Sequence, residues 1–386
     1  MLVVVGAAVL LVAAALFVAF GPAASNRGRA TSAPSRNAAA PAAVVTAGST
    51  GQVSSAARYF LDRYELPSGR VVRWDQGGDT VSEGEAYAML LSVASNDRQR
   101  FNAAWSWTSA HLLLPSGLLA WHWAKGQVIG TEPAADADVD AAYALELGAR
   151  RFGERSDLLA AATMASAIVT NESIATASGR VLVAGPWALG PPAYVNPSYA
   201  SPAEMAALGP LVTDPQDFTA LAQGSRALVG QLLAAATLPP DWVQLSGTPP
   251  ATTAPVAVAP PGQEANDEYG FDAVRLPIRW GASCDASDRH AAAMLWPSLS
   301  RNTRGGRATV DLTLTGTRGP GAQESPVGLV AAAAAGWAAG HRGDALQLLA
   351  RAQAANRSHP TYFASAWVAL GRMFLETHQL GTCGAA

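Results

Sequence analysis

SEGEAYAMLL, residues 82–91, is the stretch from which the fold of this chain is inferred most directly. Ser82 is followed three residues later by Glu85, the spacing of a capping box, and the apolar residues after Glu85 recur at helical spacing. The pattern predicts a helix that begins here and carries Glu83 in its first turn. Because the positive end of a helix dipole favours a carboxylate, this position alone does not make Glu83 catalytic.

The composition indicates a large globular protein, and the mechanism implied by the resemblance described below needs no cofactor. The chain has 386 residues, of which 49% are hydrophobic and 14% are charged, and its net charge is −3. No cluster of Lys and Arg is interleaved with aromatic residues, so nucleic acid is not an expected partner. None of the six His lies at metal-ligand spacing from another His or a Cys, so no metal is predicted.

The two cysteines, Cys284 and Cys383, are too few and too far apart for a metal site or a disulfide framework. An oxidising compartment would permit one disulfide between them. Spacing alone does not establish that pairing.

The N-terminal residues divide into an apolar run and a spacer. Residues 2–20 carry no charge, so residues 1–21 are predicted to be a transmembrane anchor, with a cleaved signal peptide as the alternative. Arg27 and Arg29 follow the run and would, by their charge, hold the chain after it in the cytoplasm. Export is nevertheless expected from the motifs described below. Residues 22–52 are rich in Ala, Pro and Ser and are predicted to be a disordered linker.

Residues 53–382 are predicted to form one all-α domain. Apolar residues recur every three or four positions in about twelve segments, and alternating strand patterns are scarce. A Pro, Thr and Ala stretch at residues 246–265 is expected to be an inserted surface loop. The predicted helices are Ala56–Tyr64, Glu83–Ser95, Arg98–Leu112, Asp138–Phe152, Ser156–Thr170, Pro202–Leu208, Pro215–Ala236, Glu268–Trp280, Ala286–Leu295, Pro326–Ala338, Gly343–Ala354 and Tyr362–His378.

A second acidic group, DADVD at residues 136–140, precedes another helical pattern. Alternating Asp residues suggest a calcium loop, but an EF-hand needs Gly at its sixth position and Glu at its twelfth. Those positions hold Ala141 and Leu147, so an EF-hand is excluded. Helix capping and acidic first-turn residues explain one or two of the three carboxylates.

Further short motifs accompany the two acidic stretches in a definite order along the chain. The series is SEGEAY (82–87), NDR (96–98) with Phe101, Trp105 and WT (107–108), WHW (121–123), ADAD (135–138), AYAL (142–145), NPSY (196–199), DW (241–242), YGFDAVR (269–275) and SPVG (325–328). It resembles glycoside hydrolase family 8, which contains endoglucanases, xylanases and chitosanases, and the endoglucanase that accompanies bacterial cellulose synthesis. The resemblance covers residues 56–378.

The resemblance implies an (α/α)6 barrel and an inverting hydrolysis. In that reaction a carboxylic acid protonates the leaving oxygen, and a carboxylate about 6.5 to 9.5 Å away activates water. By motif, Glu83 matches the general acid, Asp272 the general base and Asp136 the residue that binds the distorted sugar. Asp272 is also three residues from Arg275 on the same predicted helix, and a simple ion pair between them is the alternative interpretation.

Six residues are predicted to bind substrate. Trp121 and Trp123 would face the same side of an extended segment and, together with Tyr199, would offer surfaces on which sugar rings stack. Packing of one of the two Trp side chains in the core is the alternative. The predicted substrate-binding set is Trp121, Trp123, Tyr199, Tyr143, Arg275 and Asp138.

The role assigned to Glu83 contains a physical conflict. A helix N-terminus lowers the pKa of a carboxyl group, whereas a general acid must stay protonated near the working pH. Burial and the like charge of Asp136 would have to outweigh the helix dipole.

Three residues depart from the usual pattern of the family. Glu85 stands where Gln is usual, Ala88 where Gly is usual, and Ala135 where Thr or Ser is common. Because the acid and base positions are retained, activity is expected. The changed neighbour of the acid and the added methyl group near the cleft floor leave the substrate open, and the loop at 246–265, just before the base motif, is expected to reshape the cleft.

The sequence therefore predicts an exported or membrane-tethered inverting endo-glycosidase, a monomer acting on a β-1,4-linked glucan such as cellulose. Xylan and chitosan are alternative substrates, because a fold does not fix the substrate. A rival interpretation is a barrel that binds polysaccharide without cutting it and assists a synthase complex at the membrane. Retention of Glu83, Asp136 and Asp272 argues against that rival.

Overall fold

The computed structural model describes residues 50–247, 254–259, 268–303, 307–319, 322–380 and 383. The predicted anchor and nearly all of the predicted linker lie outside these ranges. The first helix begins at Thr50, three residues before the predicted start of the domain. No helix in the described ranges is both long enough and apolar enough to cross a bilayer.

The described residues are mainly helical, as the 3.6-residue periodicity predicts. The helices are α1 (Thr50–Tyr64), α2 (Ser82–Ala94), α3 (Arg98–His111), α4 (Ala135–Phe152), α5 (Arg155–Asn171), α6 (Pro202–Leu208), α7 (Gln216–Ala235), α8 (Arg275–Gly281), α9 (Ala286–Met294), α10 (Trp296–Arg301), α11 (Pro326–Ala338), α12 (Arg342–Ser358) and α13 (Tyr362–Glu376).

Six helices form a closed inner ring. In order around the ring, α2 packs on α4, α4 on α6, α6 on α8, α8 on α11, α11 on α13, and α13 returns to α2. Most of these helices are buried almost completely, as expected for helices surrounded by protein, and several of them carry buried charged residues. The helices α1, α3, α5, α7, α9 and α12 form an outer ring, each packing on an inner helix. The predicted (α/α)6 barrel is confirmed for the described residues.

Close packing within the barrel uses small residues on inner helices. A Cβ atom added at Gly148 of α4 would lie 2.3 Å from the Cζ atom of Phe101 on α3. A Cβ atom added at Gly84 of α2 would lie 2.5 Å from the hydroxyl oxygen of Tyr362 on α13. Both contacts are shorter than van der Waals distances, so the two glycines set the helix separations.

Short antiparallel strands connect the helices. The strands are β1 (Thr80–Val81), β2 (His122–Ala124), β3 (Gln127–Gly130), β4 (Ser173–Thr176), β5 (Gly179–Leu182), β6 (Ala193–Val195), β7 (Trp242–Leu245), β8 (Val256–Val258), β9 (Glu268–Tyr269) and β10 (Leu312–Thr313). They form the sheets β1-β2-β3, β4-β5, β6-β7-β8 and β9-β10. Strands of two to four residues give too few positions for alternation to be recognised in a sequence.

Two predicted elements are corrected by the structure. The stretch expected to be an inserted loop contains β8, which pairs with β7 in the register Trp242↔Val258. The helix predicted over 268–280 begins only at Arg275, because Glu268 and Tyr269 form β9 and the next residues form a turn. Asp272 therefore lies in the turn before α8 and not on the helix itself.

The C-terminal segment is attached to the barrel by a disulfide. Cys284, after α8, is bonded to Cys383 across a sequence separation of 99 residues. The Cys383 N–H also donates to the carbonyl oxygen of Ala282 at 3.1 Å. The pairing that the sequence left open is therefore present.

Candidate active site

Glu83 lies in the first turn of α2, where the chain leaves strand β1. Its carboxyl group is mostly buried, and this desolvation is the main reason why its pKa is raised to about 7. The like charge of Asp136 raises the pKa further, while the backbone N–H groups and the cations Arg73 and Arg275 oppose the increase. The structure thus meets the requirement that burial and Asp136 outweigh the helix N-terminus.

The predicted capping box is wrong. Helix α2 already includes Ser82, and the residue before it makes no side-chain cap. Glu85 is fully buried and turns away from the helix end, accepting hydrogen bonds from the Val71 N–H at 2.7 Å and from the Thr108 hydroxyl at 3.3 Å. Its carboxylate therefore links helix α2 to the loop that contains Val71 and to the outer helix α3.

The three residues that depart from the usual family pattern lie in the interior of the protein. Glu85, Ala88 and Ala135 each have 0% of their surface exposed. Ala88 packs among buried core residues, and the predicted effect of its methyl group on the substrate stays a prediction.

Asp136 in the first turn of α4 is joined to Asp272 by one guanidinium group. Arg275 Nη1 donates to Asp136 Oδ2 at 2.6 Å, and Arg275 Nη2 donates to Asp272 Oδ1 at 2.5 Å. Arg275 and Asp136 are buried, whereas the side chain of Asp272 keeps 32% of its surface exposed. The ion pair that was an alternative role for Asp272 is therefore present, yet it leaves this carboxylate open to solvent.

The turn that carries Asp272 is fixed from two directions. The Trp242 indole N–H donates to Asp272 Oδ2 at 2.8 Å. Asp241 Oδ1 accepts hydrogen bonds from the N–H groups of Gly270 and Ala273, both at 2.7 Å. In the sequence, Asp241 and Trp242 form only a short motif to which no role was assigned. Their role depends on contacts with residues about thirty positions later in the chain, and such contacts cannot be recognised from the sequence.

Aromatic side chains surround the bridging guanidinium group. The Cζ atom of Arg275 lies 5.0 Å from the ring centroid of Tyr199, and the Tyr199 ring meets Trp242 edge to face at 6.1 Å. Burial raises the pKa of the Tyr199 hydroxyl well above its usual value, with further increases from Asp136, Asp272 and Glu83. The charges of all three carboxyl groups thus act on one hydroxyl group.

Two residues predicted to bind substrate lie inside the protein. Asp138 is fully buried and accepts a hydrogen bond from the Leu119 N–H at 2.8 Å. Burial raises the pKa of Asp138 and of the adjacent Glu172, so these two acids share a dry site behind α4. Tyr143 is buried as well, and its hydroxyl group donates to the carbonyl oxygen of Leu380 in the C-terminal segment. Both side chains are bonded to backbone groups of the protein, so they have structural partners here and their predicted contact with substrate stays a prediction.

Trp121 and Trp123 have separate surroundings. The register of β2 against β3 shifts between His122 and Trp123, so the regular alternation of side chains is broken there. The Trp121 ring lies 4.4 Å from that of His122, whereas Trp123 meets the ring of Trp107 edge to face at 5.6 Å. The two Trp rings therefore have different neighbours, and because both remain partly exposed, their role as stacking surfaces for sugar rings stays a prediction.

Trp74 is an exposed aromatic residue that the sequence analysis did not single out. Its side chain keeps 55% of its surface exposed, while its indole N–H donates to the carbonyl oxygen of Arg63 at 3.1 Å. Only the tertiary structure distinguishes it from the Trp residues of the core.

Known proteins resemble this chain in sequence and in fold. The sequence profile described as "Glycosyl hydrolases family 8" matches residues 38–373. A probable endoglucanase of Novacetimonas hansenii is 28% identical over 287 residues, which are 71% of this chain and 79% of that protein.

Solved structures share the fold. The endo-β-1,4-glucanase of Acetobacter xylinum has a TM-score of 0.66 and 22% identity, and the match covers 83% of this chain and 97% of that one. A β-1,3-1,4-glucanase of Paenibacillus sp. X4 has a TM-score of 0.72 and 21% identity over 84% of this chain and 90% of that one. Because the profile spans most of the chain, this protein belongs to glycoside hydrolase family 8 and is a glycoside hydrolase.

Proposed function

We propose that this protein is an inverting endo-glycosidase that hydrolyses a β-1,4-linked glucan, with Glu83 as general acid and Asp272 as general base. The observation that carries the proposal is the contrast between two converging carboxyl groups. Glu83 is mostly buried and its pKa is raised to about 7, so near neutral pH a substantial fraction holds a proton. Asp272 is partly exposed and accepts charge-assisted hydrogen bonds from Arg275.

The base and the sugar-binding carboxylate are proposed to act together. Trp242 and Arg275 occupy both oxygens of Asp272 with hydrogen-bond donors, which orients the carboxylate while leaving solvent access for a nucleophilic water. Asp136 is held by the other end of the same guanidinium group and is proposed to bind the distorted sugar. Tyr199 and Trp242 supply aromatic surface nearby.

The choice of a glucan is supported by the names of the relatives. Both the Novacetimonas protein and the Acetobacter structure are described as endoglucanases. Xylan and chitosan remain alternative substrates within the same mechanism. The barrel that binds without cutting is not favoured, because pure binding does not require an acid with a raised pKa beside a second carboxylate.

Export of the protein is proposed as well. The Cys284–Cys383 disulfide supports it, because disulfides persist mainly in oxidising compartments. Tethering through the N-terminal apolar run, a monomeric state and association with a polysaccharide synthase complex remain proposals that follow from the sequence.

The test is reducing-sugar release from soluble cellulose derivatives, xylan and chitosan by the wild type and by Glu83→Gln and Asp272→Asn. We expect the wild type to act best on the cellulose derivative, and both variants to lose about 100-fold or more in kcat. If the wild type retains oligosaccharide on a column but releases no sugar from any polymer, the protein is a binding module. Equal release by the wild type and Glu83→Gln would refute the assignment of the acid.

A further inference from the structure

Three polar side chains beside the acid are not used by the proposed reaction. Arg73 donates to Asp79 through two bonds, Nε to Oδ1 at 2.8 Å and Nη2 to Oδ2 at 2.5 Å. His122 Nε2 donates to the same Oδ2 at 2.8 Å. The Arg73 N–H also donates to the Asp79 carbonyl oxygen at 2.9 Å, which closes residues 73–79 into a short hairpin. We refer to Arg73, Asp79 and His122 as the Asp79 cluster.

The Asp79 cluster borders the helix end that carries Glu83. Val81, two residues before Glu83, is paired with His122 in the β1–β2 register. The Ser82 N–H donates to the Trp121 carbonyl oxygen at 3.0 Å, which attaches the same strand to the first residue of α2. The charge of Arg73 also acts on the Glu83 carboxyl group, so the two side chains lie within electrostatic reach.

The cluster keeps unused hydrogen-bonding capacity at a partly open surface. Its three side chains expose between 12% and 16% of their surface. Within the described part of the chain, His122 Nδ1 and Arg73 Nη1 have no hydrogen-bond partner. Nitrogen atoms that are held rigidly and left without a protein partner are suited to bind a ligand.

The chemistry of the cluster fits a neutral polyol. Arg73 and Asp79 balance each other's charge, so no surplus charge remains to attract an anionic or cationic polymer. The Trp121 ring lies beside His122, with ring centroids 4.4 Å apart, and adds an aromatic surface next to the polar groups. Hydrogen-bonding groups next to an aromatic ring match a pyranose, which has hydroxyl groups at its edge and C–H groups on its faces.

We propose that the Asp79 cluster and the Trp121 ring form a sugar-binding subsite beside Glu83 that takes one neutral pyranose unit of the polysaccharide. His122 Nδ1 and Arg73 Nη1 bind hydroxyl groups of that unit. Asp79 acts as a positioning residue, because it orients both donors and contacts no sugar itself. This inference rests on the proposed function and deepens it. It names a part of the cleft that recognises the polysaccharide away from the bond that is hydrolysed.

The test compares two replacements of His122 that keep different halves of the imidazole. An Asn side chain places its amide near the position of Nδ1, whereas a Gln side chain places its amide near Nε2. In a Glu83→Gln background, we expect His122→Ala to weaken cellohexaose binding about tenfold in calorimetry, as one lost hydrogen bond to a ligand does. His122→Asn should recover most of the affinity, and His122→Gln should not.

A control uses a second bidentate pair outside the cleft. Arg226 holds Asp288 through two bonds of 2.7 and 2.9 Å between α7 and α9. Arg73→Lys should weaken cellohexaose binding severalfold, because Lys cannot keep the bidentate geometry, whereas Arg226→Lys should leave the binding unchanged.

Two results would overturn the subsite. Recovery by Gln but not by Asn would show that His122 only supports Asp79, and equal affinity of His122→Ala and its parent would show that no sugar contacts the cluster. Because binding is measured with an acid-deficient protein, hydrolysis by the wild type reports separately on the proposed function. If the wild type hydrolyses glucan and cellohexaose binding does not depend on His122, the subsite alone is refuted. Binding that depends on His122 without any hydrolysis refutes the proposed function alone.

Discussion

At the scale of single residues, the candidate site depends on the surroundings of Glu83. The sequence placed this residue at a helix N-terminus, where the dipole alone would lower its pKa. The structure adds burial and the charge of Asp136, and the pKa is raised to about 7. Motif order singled out Glu83, Asp136, Asp272 and Arg275, and the structure joins the last three by hydrogen bonds. Motif order did not reveal that Asp138 bonds to the Leu119 N–H or that Tyr143 bonds to the Leu380 carbonyl oxygen, because both partners are distant in sequence.

The raised pKa of Glu83 predicts the alkaline limb of the pH profile. The acid works only when protonated, and its protonated fraction falls as the pH rises through its pKa. We therefore expect kcat/KM for a soluble glucan to decline above about pH 7, approaching a tenfold loss per pH unit. Initial rates between pH 4 and pH 10 measure this profile.

Glu85→Gln provides the control for that limb. Glu85 is buried and its pKa is also raised, but its contacts are with Val71 and Thr108, away from Asp136 and Asp272. The limb near pH 7 should therefore persist in this variant. A wild-type profile that stays flat to pH 9 would show that Glu83 is not the titrating acid.

At the scale of elements, α4 and α8 are joined by two successive ion pairs. Asp136 and Asp140 are four residues apart on α4 and meet Arg275 and Arg279, which are four residues apart on α8. Arg279 also contacts Glu204 of α6 at 3.2 Å, so it joins three inner helices. The helices themselves were predictable from their periodicity. The ion pairs were not, because each joins residues separated by 139 positions.

Arg279→Leu should destabilise the barrel strongly. The substitution leaves the buried Asp140 and Glu204 without their cation, and breaking a buried ion pair in this way costs about 3 to 5 kcal/mol. Urea unfolding measures the change. Arg307→Leu is the control, because Arg307 is exposed and pairs with Glu324 at the surface, and it should change stability by less than about 1 kcal/mol. Equal stabilities of the two variants would contradict the structural role of Arg279.

At the scale of the whole molecule, the closed ring brings motifs that are distant in sequence close enough for their charges to interact. The chain supplies Glu83 from α2, Asp136 from α4 and Asp272 from the turn before α8, all of them elements of the inner ring. The resemblance to glycoside hydrolase family 8 predicted the (α/α)6 architecture, and the count of about twelve helical segments agreed with it. The short strands could not be predicted from the sequence, and neither could the register shift that separates Trp121 from Trp123. Strands of two to four residues are too short for an alternating pattern to be recognised.

The disulfide is expected to stabilise the closed ring. It joins positions 99 residues apart, and its removal by Cys284→Ser together with Cys383→Ser should cost about 2 to 5 kcal/mol. Thermal unfolding of the double variant, and of the wild type with and without reductant, measures the loss. Because neither cysteine lies in the candidate site, kcat at low temperature should stay close to that of the wild type. An unchanged melting temperature would show that the C-terminal segment does not need the bond.

The most direct test of the whole account is the anomeric configuration of the first product released from a β-1,4-linked cello-oligosaccharide, followed by proton NMR. Glu83 and Asp272 acting on opposite sides of the sugar must give direct displacement by water, so the α-anomer should be released first and convert slowly to the equilibrium mixture. Initial release of the β-anomer would reveal a covalent intermediate and would contradict the assignment of Asp272 as general base.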